Sequence, residues 1–182
     1  ASVDDLVAGV VDTLKAAGKL DNTLIIYTSD NGYAFGDHRQ FGKNAVHESS
    51  IRVPLVVRGP GIPHNETRSQ LVNNLDVAAT IEQIAGLSPS ITPNGRSLTP
   101  ILDDANGHWR SAILVEGGNG VAKADRRYVA VRTATRKYVA YEADSYELEN
   151  QAKDPIYAPD AATLRALHDK LKSCAGAGYW VP

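Results

Sequence analysis

Ser29-Asp30-Asn31-Gly32 is the first place in this sequence where residue types and position together suggest chemistry. It follows directly on the apolar, β-branched run Thr23 to Thr28, and in open α/β sheets ligands bind in the crevice beyond the carboxyl ends of the strands. Asp30 and Asn31 offer a carboxylate and an amide oxygen, hard donors that suit Ca²⁺ or Mg²⁺, and two adjacent donors on one turn can grip one ion. The same residue types also build turns that bind nothing. Lys43 is a point charge able to hold a sulfate or phosphate oxygen, and is equally an ordinary solvated lysine. His38 and His47 both lie between that run and Ile51, where an imidazole could donate a proton or ligate, or simply occupy a loop.

Other motifs fail on inspection. Gly42-Lys43 is not a phosphate loop, because Asp37 stands where its first glycine belongs and Asn44 where its Ser or Thr belongs. His47-Glu48 lacks the second histidine of a zinc-protease helix. Gly117-Gly118-Asn119-Gly120 is too short for a dinucleotide site and reads as a loop. Asn65-Glu66-Thr67 fits a glycosylation acceptor. The single Cys174 excludes an internal disulfide and a cysteine metal cluster.

The elements that must position these residues are read from periodicity. Val3, Leu6, Val7, Val10, Val11 and Leu14 share one helical face, with Ser2 as its cap, Asp5 three residues on, Lys15 and Lys19 at its end and Gly18 as a left-handed exit. Thr23–Thr28 reads as a strand buried on both faces, and Ile51–Val57 as another with Pro54 forcing an edge or a bulge. Asp76 is placed to cap a helix carrying Val77, Ile81 and Ile84, stopped by Gly86, after which Ser88–Asn94 is loop-like. From about Asn106 the pattern changes to extended runs at 112–116, 128–133 and 137–142, the last two alternating as a half-buried antiparallel hairpin does. A final helix capped by Asp160 carries Leu164, Leu167 and Leu171. The chain is therefore expected to be α/β over 1–105, with a small antiparallel sheet and a C-terminal helix over 106–182.

Composition sets the outer limits. The 182 residues are 43% hydrophobic and 22% charged, which matches globular proteins. A chain of this size buries roughly 70% of its unfolded surface, enough for a core without staples. A net charge of −2 with interspersed signs gives no basic stripe, which argues against a nucleic-acid partner. No apolar run approaches the roughly 20 residues of a membrane span, and no leader-like segment opens the chain. There is no Met, even at position 1, so an upstream segment is expected to have been removed.

The run LDNTLIIYTSDNGYAFGDHRQFGKNAVHESSIRVPLVVRGPGI, Leu20 to Ile62, resembles the C-terminal half of a type I sulfatase catalytic domain, most closely the N-acetylglucosamine-6-sulfatase branch. The resemblance continues through Asn74-Leu75-Asp76, Asn94-Gly95-Arg96-Ser97-Leu98, Trp109-Arg110-Ser111, Tyr146-Glu147-Leu148-Glu149-Asn150 and Lys172-Ser173-Cys174. It implies the C-terminal part of an alkaline-phosphatase-like fold, with Asp30 and Asn31 as ligands of an active-site Ca²⁺ and Lys43 as a contact to the substrate sulfate. His38 and His47 remain candidates, although His47 stands where relatives often have Tyr, and Tyr179 where the branch often has a second Cys.

The family nucleophile is a formylglycine made from the first residue of a Cys-x-Pro-Ser-Arg or Ser-x-Pro-Ser-Arg motif, and this sequence contains neither. The resemblance therefore implies a missing N-terminal segment of the same protein as a partner, a sulfated sugar or other sulfate ester as substrate, an extracytoplasmic location, and an incomplete, inactive fragment. A truncated sheet is expected to expose an edge through which dimers form. The alternatives are a non-catalytic binding module of the same fold, or a phosphatase or phosphodiesterase of the wider superfamily.

Overall fold

The structure is a computed structural model and describes residues 2–117, 127–141 and 158–175. Residues 118–120, Glu142, the 146–150 stretch and Tyr179, all used above, lie outside the described residues.

Helix α1 spans Ser2–Ala16. Ser2 is its first described helical residue rather than a cap, while Lys15 lies in its last turn and Gly18 takes the left-handed exit at φ 63°. Its expected apolar face exists but is uncovered: no residue of α1 is buried, and Val3, Leu6, Val7 and Val10 are exposed.

Strand β1, Ile25–Thr28, is shorter than the Thr23–Thr28 run and is not buried on both faces, since Tyr27 and Thr28 are exposed. The reason is its partnership. After the two-residue strands β2 (Ala34–Phe35) and β3 (Phe41–Gly42) and the short helix α2 (Glu48–Ile51), strand β4 (Leu55–Arg58) pairs antiparallel with β1, and these two form their own sheet among the described residues. Ile51 thus belongs to a helix, and Pro54 stands just before the ladder, where its missing N–H costs no strand pairing. Its carbonyl accepts the Thr28 hydroxyl at 2.9 Å.

Helix α3, Asn74–Ile84, begins after Asn73, so Asp76 is not the cap but the third residue of the helix. It still serves the helix start: its Oδ2 accepts the Asn73 N–H at 2.8 Å, satisfying a donor that the first turn leaves orphaned. Gly86 ends the segment at φ 66°. Asp76 is fully buried, and its Oδ1 accepts the Arg96 N–H at 2.8 Å and the Arg110 guanidinium at 2.6 Å. The Arg96 and Arg110 guanidiniums lie over the Trp109 ring, 4.4 and 5.0 Å from its centroid, and Trp109 packs with Leu98 and Ile101 of the region around α4, Thr99–Asp103.

Strands β5 (Ala112–Gly117), β6 (Tyr128–Thr133) and β7 (Lys137–Tyr141) form the expected antiparallel sheet in the order β5-β6-β7. Helix α5, Ala158–Leu171, covers one face, where Leu171 joins Ala112 and Val131 in a core edged by Leu114 and Leu167. Asp160 lies within α5 rather than capping it, and pairs with Arg136 at 3.2 Å. The second face is covered as well, because Val46 packs on Tyr128 and Ala130 there. The alternation read in β6 and β7 is thus present with both faces contacted, which the half-buried pattern did not anticipate.

Candidate functional site

The turn after β1 is held from two sides. The Gly32 N–H donates to the Ser50 carbonyl at 2.9 Å, and a Cβ at Gly32 would sit 2.1 Å from the Ser49 carbonyl oxygen, so only glycine lets α2 approach this closely. From the other side the Asn74 amide donates to the Asp30 carbonyl at 2.9 Å, tying the turn to the first residue of α3. Within it, Asp30 Oδ1 accepts the Asn31 N–H at 2.8 Å, and Asn31 Nδ2 donates to the Gly32 carbonyl at 2.8 Å. Those bonds leave Asp30 Oδ2 and Asn31 Oδ1 as acceptors, with Asp30 exposed and Asn31 half-buried.

Lys43 follows β3 directly, is exposed, and makes no hydrogen bond or ion pair among the described residues. His38 sits in the turn joining β2 to β3, in a left-handed conformation at φ 51° that is uncommon outside glycine. The structure brings it to His47: the rings stack with centroids 4.0 Å apart and planes 14° off parallel. No hydrogen bond or ion pair joins this pair or Lys43 to Asp30 or Asn31. Burial pushes the His47 imidazole below its usual pKa, and the neighbouring His38 and Lys137 push it further the same way.

Sequence reasoning missed Glu48. Its Oε1 accepts from Arg132 Nε at 3.1 Å and from Lys137 Nζ at 3.2 Å, across more than eighty residues of chain. Burial works against its charge, but the two hydrogen bonds and the charges of Arg132 and Lys137 outweigh that and hold the carboxyl below its usual range. The available signal was the period of two: Arg132 pairs with Lys137 in the ladder, on the face of β6 that carries Ala130. Nothing local pointed to Glu48 as the acceptor.

Residues 1–87 match the family model described as Sulfatase. This part of the chain belongs to the sulfatase family. The N-acetylglucosamine-6-sulfatase of Homo sapiens is 50% identical over 118 residues, 63% of this chain and 21% of that protein. A solved structure described as a complex with its substrate D-glucosamine-2-N,6-O-disulfate superposes with a TM-score of 0.84 at 28% identity, covering 93% of this chain and 38% of that one. A phosphonate monoester hydrolase from Silicibacter pomeroyi superposes with a TM-score of 0.80 at 27% identity, covering 94% and 39%. The fold is therefore the sulfatase, alkaline-phosphatase-like one, including the small antiparallel sheet and its helix. The chain spans about a fifth of the length of the human sulfatase it matches.

Proposed function

We propose that this chain supplies the metal-binding turn and one sulfate contact of a sulfatase that hydrolyses sulfate monoesters on a sugar. The carrying observation is that the Asp30-Asn31 turn follows β1 within the residues that match the sulfatase model and is clamped between α2 and α3, with Asp30 Oδ2 and Asn31 Oδ1 left as acceptors. The superposition on the glucosamine disulfate complex supports a sulfated sugar as substrate. Hydrolysis needs the formylglycine nucleophile of the family, whose motif this sequence lacks, so the activity belongs to the whole protein and the fragment alone is inactive.

In this reading Asp30 Oδ2 and Asn31 Oδ1 are two ligands of a Ca²⁺ that takes oxygen donors in sixes to eights. Among the described residues no group of three His, Cys, Asp or Glu converges on one point, so the remaining ligands come from elsewhere in the protein. The ion, when bound, supplies positive charge against the sulfate. Lys43 donates to a sulfate oxygen, a charge-assisted bond that strengthens as the site closes. His38 and His47 are candidates for proton transfer at the site; the lowered pKa of His47 favours its neutral form, which accepts a proton rather than supplying one.

The division at 105/106, the extracytoplasmic location and association through exposed apolar surface belong to the same proposal. Matching relatives named as extracellular sulfatases support the location. Among the described residues no helix is long and apolar enough to cross a membrane. The uncovered faces of α1 and of Ile81 and Ile84 on α3 support association with the missing segment or with a second copy.

The test is an assay of the full-length protein on a 6-sulfated N-acetylglucosamine ester beside a phosphonate monoester. Sulfate release is expected, and Lys43→Ala is expected to lower turnover on the order of a hundredfold, as loss of a single electrostatic donor does. Hydrolysis of the phosphonate ester alone would favour the phosphonate-hydrolase reading that the second superposition supports. An unchanged rate in Lys43→Ala would remove Lys43 from the site.

A further inference from the structure

We propose that Glu48, Arg132 and Lys137 form a clamp through which the C-terminal sheet positions the site, acting on Lys43, His47 and the Asp30-Asn31 turn by way of helix α2. The inference rests on the functional reading above for what is positioned, and on the following contacts for how.

The stretch from Lys43 to His47 belongs to no helix or strand, so its placement depends on what holds its far end. Three contacts do so. Arg132 Nε and Lys137 Nζ both donate to Glu48 Oε1, at 3.1 and 3.2 Å, and Lys137 Nζ also donates to the Val46 carbonyl at 2.6 Å. Val46 itself is buried against Tyr128 and Ala130. One lysine thus grips the backbone and the carboxylate on either side of His47, while an apolar contact seats the segment on the sheet. The Arg132 and Lys137 side chains are 22% and 20% exposed and the Glu48 side chain 43%, so solvent screens these bonds in part, and it is the convergence of two cations on one carboxylate that sets them apart from an isolated surface pair.

Helix α2 carries the constraint onward. Glu48 is its first residue, and Ser50, two residues on and 2% exposed, accepts the Gly32 N–H at 2.9 Å. The glycine leaves no slack, because any Cβ there would meet the Ser49 carbonyl. A four-residue helix is too short to hold its own geometry, so with Glu48 released the N-terminal end of α2 keeps only the contacts of Val46 and the stacking of His47 on His38. Motion of α2 then reaches the metal turn through Gly32 and Lys43 through the preceding stretch. Arg132 and Lys137 are therefore positioning residues: they hydrogen-bond neither Lys43 nor Asp30, and act through Glu48 and, for Lys137, the Val46 carbonyl.

The experiment uses the full-length protein with Glu48→Gln, Lys137→Met and Lys137→Arg, read by amide hydrogen exchange and by sulfate-ester kinetics. Exchange at 43–51 and at Gly32 is expected to rise at least about tenfold in Glu48→Gln and Lys137→Met, while β5–β7 and α5 keep their protection. In the same two variants kcat is expected to fall on the order of a hundredfold, as small misplacement of an oriented group does, with Lys137→Arg restoring most of it. Should Glu48→Gln fail to fold, Lys137→Met carries the test. Unchanged exchange at 43–51 overturns the clamp whatever the activity, and faster exchange with unchanged kcat overturns its positioning role. Faster exchange in a protein whose wild type hydrolyses no sulfate ester supports the clamp and overturns the sulfatase reading instead.

Discussion

Asp76→Asn removes half of the most buried ion pair among the described residues. Asp76 is 0% exposed, and the Arg110 side chain that pairs with it at 2.6 Å is 3% exposed. Removing one partner of such a pair strands the other in a low-dielectric site, at a cost of about 3–5 kcal/mol. Asn adds a second injury. Both Asp76 oxygens accept hydrogen bonds, from Asn73, Arg96 and Arg110, and an amide has one oxygen, so its NH₂ must face a donor. We expect a loss of about 4 kcal/mol, a large share of the 5–15 kcal/mol that holds ordinary domains together. At roughly 2–4 °C per kcal/mol for a chain of this length, the melting temperature falls by about 8–16 °C. Urea titration followed by far-ultraviolet circular dichroism measures it. A loss below about 1 kcal/mol, the size expected of an exposed pair, would refute the buried, triply bonded geometry.

Gly32→Ala is expected to cost about 1–3 kcal/mol, since backbone rather than a mobile side chain lies in the way of the new methyl group; an unchanged urea midpoint would contradict the close approach of α2. Calorimetric titration of this chain with Ca²⁺ should show affinity of about millimolar or weaker, as two donors of the usual six to eight allow, whereas micromolar binding would mean that other ligands are already present. Stability should fall with acid from about pH 6.5 downward, because His47 has a lowered folded pKa and so binds fewer protons folded than unfolded in that range. Glu48, also lowered, adds to the loss as pH drops through its carboxylate range. Urea midpoints at pH 7.5 and 5.5 check this: His47→Gln should flatten the dependence between them, and an equally steep fall would assign the effect elsewhere.

The period of two in β6 and β7, the helical spacing of α1 and α5, and the strand ending at Thr28 were all legible in the sequence, because each is a local pattern within one element. The pairing of β1 with β4 was not, since an apolar run says that a strand is buried without naming its neighbour, and Tyr27 proves exposed. Residues at helix starts were found but incompletely assigned: Asp76 completes the capping box of α3 from its third position rather than capping it, and both Asp76 and Asp160 also pair with arginines, Arg110 and Arg136, that lie 34 and 24 residues away. The candidate site followed the same division. Asp30 and Asn31 could be picked out by donor type and by place after a strand, and Lys43 by its family resemblance. That His38 stacks on His47, that Ser50 holds Gly32, and that Glu48 answers to Arg132 and Lys137 are decisions of the tertiary structure. Hydrogen bonds and ring contacts between distant segments leave no periodicity, so only the folded chain reveals which of its charges have met.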